Sequence, residues 1–344
     1  MAKKTVLITG GAGFIGSNFA RRIFEHYPDY HIIVLDALTY AGSTDNLPEH
    51  YEESGRIEFW AGNVMNADIV DSLVARSDIV YHFAAETHVT RSIYSNRLFF
   101  ETDVIGTQVV ANSVLKHRER VELFVHISTS EVYGSALCER IDENHPLNPM
   151  SPYAAAKCGA DRLVYSYWQT YQIPAVILRP FNNYGPYQHL EKAIPRFITS
   201  CLVDEPLYVH GEGDAARDWI HVDDHCDALE RLLRIPAKDI VGEVFNIGTG
   251  QHVNVQEVAQ RVAKQMGVRN ERVKRVTDRP GQVIRHTCDA TKARRVLDWR
   301  PKIDFDEGIA RTIEWYRRNE PWWRRQLAFR QIPIVTVDGR KVRH

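Results

Sequence analysis

The chain has 344 residues, 44% of them hydrophobic, enough for a sizeable core in one large domain or two unequal ones. Its net charge of −1 excludes a global case for nucleic acid or an acidic partner, although the stretch from Arg311 to His344 is locally basic. The five cysteines are scattered without a Cys-x-x-Cys pair, and no apolar run approaches membrane-spanning length; a soluble, cytoplasmic protein with no disulfide frame and no metal site is expected.

Thr5 to Thr9 reads as a buried strand, Gly10-Gly-Ala-Gly13-Phe14-Ile15-Gly16 as a glycine loop, and Ser17 to Tyr27 as a helix. That order suits a pyrophosphate. Gly10 and Gly13 allow a tight turn and close backbone approach, Gly16 lets the helix pack on the strand, and the helix N-terminus attracts negative charge. A second strand, His31 to Leu35, ends on Asp36, twenty residues beyond Gly16. An acid there bonds an adenosine ribose and repels a 2′-phosphate, so NAD is favoured over NADP. Strand Ile57 to Trp60 leads to Asn63 and Val64, which could meet the adenine edge. After a helix from Asp68 to Ala75, strand Ile79 to Phe83 delivers Ala84 and Ala85 as a cofactor wall and Thr87, His88 and Arg91 as polar groups for a substrate. Phe99 to His117 is a long helix, a candidate for a paired-helix dimer face.

Val121 to Ile127 is a short apolar run that carries Ser128, Thr129, Ser130 and Glu131 to its carboxyl end, the ligand edge of an open α/β sheet. A helix starts near Ser151 with Pro152 early in it, and its Tyr153 and Lys157, four apart, share a face. A lysine beside a tyrosine favours the phenolate and brings its pKa down from about 10. Such a phenol can take a proton from a sugar hydroxyl. Taken alone, Tyr-x-x-x-Lys is more often an ordinary surface pair; the glycine loop and Asp36 change that balance. With a sixth strand at Ala175 to Leu178, residues 1–180 alternate strand and helix, an α/β fold with a doubly wound parallel (Rossmann) sheet.

Beyond residue 180 the rhythm breaks, and residues 181–325 read as a smaller α/β substrate lobe, with the chain free to cross between lobes and a tail at 326–344. Arg179 to Tyr187 is read as irregular chain, followed by Glu191, Lys192 and a helix. Leu207 to His210 is strand-like, and Gly211 to Trp219 a turn presenting Arg217, able to clamp a diphosphate. His221 and His225 lie four apart, but no third ligand is evident, so a structural role is favoured over a metal. Asn254 starts a helix, Val255 to Met266; Asp278 to Gln282 is a loop offering Arg279. Helices follow at Ala290 to Leu297 and Asp306 to Arg318, then a hairpin or disordered tail at Pro333 to Val342.

Together, Gly10 to Gly16, Asp36 to Gly42, Ala84 to Ser92, Ser128 to Gly134, Tyr153 with Lys157, Asn182 to Tyr187, Glu191-Lys192, Arg217-Asp-Trp219 and Asp278 to Gly281 resemble an extended short-chain dehydrogenase/reductase. Within that family the chain is most similar to the nucleotide-sugar 4,6-dehydratases of the dTDP-glucose group, from Thr5 to about Trp323. The resemblance implies tightly held NAD, a nucleotide-sugar substrate and a homodimer. It implies that Thr129 and Tyr153 contact the sugar O4 and that Tyr153 takes its proton as C4 is oxidised by NAD. Lys157 would order the nicotinamide ribose and tune Tyr153. Glu131 would remove the C5 proton before water leaves C6 and the reducing equivalent returns there. Asn183, Glu191, Lys192, Arg217, Asn254 and Arg279 fall where the family holds the diphosphate, ribose and base.

The chain departs from the dTDP-glucose pattern at Ser130, where those enzymes carry an Asp that protonates the leaving C6 hydroxyl. Thr-Ser-Glu also resembles the triad of other 4,6-dehydratases, of UDP-glucuronate decarboxylases and of some 4-epimerases. Both alternative outcomes, decarboxylation of a hexuronate and 4-epimerisation, keep the C4 oxidation. Thr90 and Gln282 depart as well, standing where the dTDP-glucose enzymes carry Asp and His.

Overall fold

The computed structural model describes residues 3–277, 283–330, 333–335 and 339–343. Six strands of the first half, β1 (Thr5–Thr9), β2 (His31–Asp36), β3 (Ile57–Ala61), β4 (Ile79–His82), β5 (Leu123–Ile127) and β6 (Ala175–Pro180), lie in one parallel sheet ordered β6-β5-β4-β1-β2-β3. The order reverses between β1 and β4, so their carboxyl ends open the crevice in which such sheets bind ligands. Alternate residues serve opposite faces. Val6, Ile8, Ile32 and Val34 join the core under α1 (Phe14–His26), while Leu7, Ile33 and Leu35 join the core under α2 (Ala67–Val74) and the helix Thr107–Lys116. The long helix comprises α4 (Arg97–Phe99), a π-helical segment Phe100–Gly106, and α5 (Thr107–Lys116); α3 (Val89–Tyr94) precedes it. The π segment turns Asp103 into the interior, 1% exposed. Helix α6 (Pro152–Tyr171) begins where the Ser151 hydroxyl accepts from the Ala154 amide at 3.1 Å, and ends at Gln172 in the left-handed conformation.

The second half contributes β7 (Asn182–Tyr184), α7 (Ala193–Leu202), β8 (Leu207–His210), β9 (Ala216–His221), α8 (Val222–Arg231), β10 (Val244–Ile247), β11 (His252–Asn254), α9 (Val255–Gln265) and β12 (Val273–Val276). Helices α10 (Thr291–Val296), α11 (Phe305–Arg318) and α12 (Glu320–Arg324) follow. β10 does not stay with the second lobe: it pairs with β6 as the seventh parallel strand of the main sheet, and α8 packs on α1. The second lobe has its own core, where Phe197, Val209, Val258, Ile309 and Trp323 meet. Two segments expected as turn or irregular chain are strands, β7 and β9, which pair in parallel. β9 is disguised because it buries charge: Asp218 is fully buried and accepts from the amides of Thr249 and Gly250 at 2.8 Å and Cys288 at 3.0 Å. At the C-terminus β13 (Pro333–Val335) and β14 (Lys341–Arg343) pair antiparallel, the arrangement a hairpin requires; Asp338 lies outside the described residues. No described helix is long and apolar enough to cross a membrane.

Candidate active site

A cavity of about 490 Å³ opens at the carboxyl edge of the main sheet and extends to the second lobe. It brings together Gly10, Gly13, Phe14, Ile15, Gly16, Asp36, Asn63, Val64, Ala84 and Ala85 at one end, Thr129, Ser130, Glu131, Tyr153 and Lys157 at the centre, and Thr87, His88, Asn183, Glu191, Lys192 and Arg217 toward the second lobe.

The glycine loop is shaped for close approach. Gly10 has φ +69°, and a Cβ there would lie 2.6 Å from the Ala84 amide nitrogen. A Cβ on Gly13 would meet only the Gly10 carbonyl oxygen, at 3.3 Å, so that face is left open to the cavity. No side chain caps the N-terminus of α1, which leaves its amides and dipole for an anion. The Asp36 carboxylate is held at the loop by the Ala12 amide at 3.0 Å and the Leu38 amide at 2.8 Å; burial still raises its pKa. An uncapped helix end, an open glycine face and an acid at the tip of β2 fit a dinucleotide with a free ribose.

At the centre, the Thr129 hydroxyl accepts from the Glu131 amide at 3.2 Å, which shapes the 3-10 turn Ser130–Tyr133. Lys157 is 4% exposed and its ammonium donates to the Ile127 carbonyl at 2.7 Å. This overturns the expected acidification of Tyr153. Burial pushes the Tyr153 phenol well above 10, the Asp103 charge adds to that, and the hydrogen bond with Thr129 opposes it. Burial lowers Lys157 in turn, against the attraction of Asp103 and Asp161. Asp103 is itself raised to about 7, chiefly by burial. One of its oxygens accepts from the Glu86 amide at 2.7 Å, which ties the π segment to the loop after β4.

Arg217 lies beside Glu131. Its Nε is 3.8 Å from a Glu131 carboxylate oxygen, and its guanidinium donates to the Val283 carbonyl at 2.8 Å. Asn183 is oriented from below: its side-chain oxygen accepts from His225 Nδ1 at 3.0 Å. His221 caps α8, accepting from the Asp223 amide at 3.3 Å, so the two histidines have separate structural partners. Glu191 pairs with Arg91 at 2.8 Å, and Arg91 lies over the Tyr40 ring, 4.0 Å from its centroid. His88 lines the wall with φ +147°, a strained value for a non-glycine residue. Asn254 does not reach the cavity lining; its side chain caps α9, accepting from the Glu257 amide at 2.7 Å. Arg279 and Gln282 lie outside the described residues.

Two residues near the centre carried no sequence signal. Asp103 sits in the π segment described above. His286 is fully buried, with Nδ1 3.4 Å from the Ser130 hydroxyl oxygen and Nε2 against the Gly134 carbonyl.

The model of the GDP-mannose 4,6 dehydratase family matches residues 7–312. The chain is 42% identical to a dTDP-glucose 4,6-dehydratase of Streptomyces niveus, with 92% of this chain and 94% of that one covered. It is also 42% identical to the low-salt glycan biosynthesis protein Agl12 of Haloferax volcanii, covering 90% and 98%. Among solved structures, DesIV, a dTDP-glucose 4,6-dehydratase from Streptomyces venezuelae crystallised with NAD and TYD bound, superposes with a TM-score of 0.89 at 40% identity, covering 94% of this chain and 99% of that one. By its sequence, its seven-stranded sheet and the contents of its cavity, this chain belongs to the GDP-mannose 4,6 dehydratase family.

Proposed function

We propose that this chain is an NAD-dependent nucleotide-sugar 4,6-dehydratase, a lyase acting on dTDP-glucose or a related NDP-hexose. The observation that carries the reading is the convergence of Thr129, Glu131, Tyr153 and Lys157 on one cavity whose far end is a dinucleotide cradle. Gly10 to Gly16, Asp36, Asn63, Val64, Ala84 and Ala85 would hold NAD. Bound there, NAD would supply the oxidising equivalent for the sugar C4 and the reducing equivalent for C6, so none would be consumed.

The chain's own residues do the proton work. Tyr153 accepts the O4 proton as its phenolate, a form that the Thr129 hydroxyl favours and that burial and the Asp103 charge oppose. Lys157, anchored on Ile127, orders the nicotinamide ribose. Glu131 takes the C5 proton, which the C4 ketone has made acidic, and its carboxyl returns that proton to the departing C6 hydroxyl, which leaves as water; Arg217 beside it holds the carboxylate in place and contributes positive charge toward a diphosphate. Asn183, Glu191 and Lys192 bind the remaining nucleotide-sugar groups, and the resemblance assigns Arg279 to the same group.

A second reading rests on Ser130. A serine is a far weaker acid than the carboxyl of the dTDP-glucose pattern, and neither alternative needs an acid there: a C4 ketone makes a C6 carboxylate a β-keto acid that loses carbon dioxide, and return of the reducing equivalent to the opposite face of C4 inverts that centre. Turnover separates the readings: incubation with NDP-hexoses and no added cofactor should release a 4-keto-6-deoxy product, and failure on every NDP-hexose would refute the first reading. The protein works in the cytoplasm as a homodimer. The half-exposed Leu98, Phe100 and Ile105 on the long helix would bury against a second copy. Ile105→Glu should yield monomers by light scattering, and an intact dimer would remove that face from consideration.

A further inference from the structure

Ser130 lines the cavity, yet its residue is 1% exposed and, among the described residues, its hydroxyl hydrogen has one partner, His286. The segment that carries His286 is pinned on both flanks. Its amide donates to the Ala216 carbonyl at 3.1 Å, the Thr287 carbonyl accepts from the Ile141 amide at 2.8 Å, and the ring stands edge-on to Phe181 at 6.1 Å. The tautomer follows from the partners. A carbonyl can only accept, so Nε2 carries the hydrogen that meets Gly134. Burial lowers the His286 pKa, as do Arg217 and His145, while Glu131 and the Gly134 carbonyl oppose them, so burial favours the neutral ring. Nδ1 then carries only a lone pair. The contact between Ser130 and Nδ1 must be made by the serine O–H, and the Ser130 oxygen turns lone pairs toward the cavity.

We propose that His286 fixes the direction of the Ser130 hydroxyl, so that Ser130 accepts a hydrogen bond from the sugar C6 substituent and thereby selects a C6 hydroxyl over a C6 carboxylate. The inference rests on the dehydratase reading, which sets C6 against Ser130. A hexose C6 hydroxyl has a hydrogen to donate to that lone pair. A uronate carboxylate has none, and its oxygens would face the serine oxygen without a donor between them. His286 is a positioning residue: it touches Ser130, not the sugar.

The test uses the NAD-loaded enzyme and a matched pair of probes, dTDP-glucose and dTDP-glucuronate, with dissociation constants measured by calorimetry. Wild type should bind the hexose tighter by about tenfold or more. His286→Leu frees the Ser130 hydrogen, and the preference should fall by about tenfold. His286→Asn, whose carboxamide oxygen can accept the same hydrogen, should keep much of it and covers the case in which the leucine variant does not fold. In a Ser130→Ala background, His286→Leu should change the ratio no further, an outcome that a merely structural role for His286 would not give. A His286 effect that persists without the Ser130 hydroxyl overturns the proposal, as does a wild type that binds the uronate as tightly as the hexose. A wild type that binds the hexose in this selective way yet releases no deoxy product would instead refute the dehydratase reading while leaving the selectivity intact.

Discussion

Replacing Gly16 by alanine sets two effects of opposite sign against each other. Gly16 is the third residue of α1, and by helix propensity alone an alanine there should stabilise the chain by about 1 kcal/mol. The packing says otherwise. The new Cβ would sit 2.3 Å from the Gly10 carbonyl oxygen and 2.9 Å from the Gly11 Cα, both backbone atoms that cannot swing aside. Overpacking of this kind costs about 1–3 kcal/mol, so the steric term cancels or outweighs the propensity term. Relief requires the glycine loop to lift off α1, which moves the amides that would meet a pyrophosphate. Gly16→Ala should therefore lower Tm by a few degrees, at about 2–4 °C per kcal/mol, and lose bound NAD on purification. Gly13→Ala is the control. Its Cβ meets one atom, at 3.3 Å, and otherwise points into the open cavity, so it should leave Tm of the cofactor-free protein nearly unchanged while still weakening NAD binding. Differential scanning calorimetry and the NAD content of the purified proteins decide the matter. A Gly16→Ala protein with raised Tm and full NAD would refute the packing argument.

Glu131→Gln should separate the half-reactions: the absorbance of reduced cofactor builds up with substrate while product formation drops by about 10²–10⁴-fold, and full turnover would remove Glu131 as the C5 base. Asp161→Asn leaves the buried Arg179 guanidinium short of the carboxylate that it holds through Nε and Nη2, both at 2.9 Å; the loss should be about 3–5 kcal/mol in chemical denaturation. Asp103 has a pKa raised to about 7 in the fold against an ordinary 3.8, so the folded state binds more protons between those values and stability falls as pH rises through that window. Asp103→Asn, which keeps the acceptor for the Glu86 amide, should gain on wild type in Tm from pH 5 to pH 8; a constant gap would contradict the burial argument. The same variant removes a charge that opposes the Tyr153 phenolate, so the rising limb of its activity profile should move to lower pH.

The parts of the fold set by local pattern were readable from the sequence. The glycine loop with its strand and helix, Asp36 at the end of β2, and Tyr153 and Lys157 on one face of α6 each depend on residues a turn or two apart. What escaped depends on distance or on burial of charge. β9 hides because Arg217 and Asp218 read as a polar turn, while the structure buries both and supplies Asp218 with backbone amides from remote loops. A neighbouring lysine charge favours the Tyr153 phenolate, but desolvation acts the other way and is the larger effect in the folded chain. The partner of Ser130 is a histidine 156 residues away in the sequence, delivered by a segment whose pairing with Ala216 no periodicity announces.

The most direct test of the central claim is mass spectrometry of the product formed from dTDP-glucose, UDP-glucose, GDP-mannose, UDP- and GDP-N-acetylglucosamine and UDP-glucuronate, with no cofactor added. Loss of one water from an NDP-hexose, with no reaction of the uronate, is the expected result. Loss of carbon dioxide from UDP-glucuronate, or a product of unchanged mass with an inverted sugar centre, would contradict it.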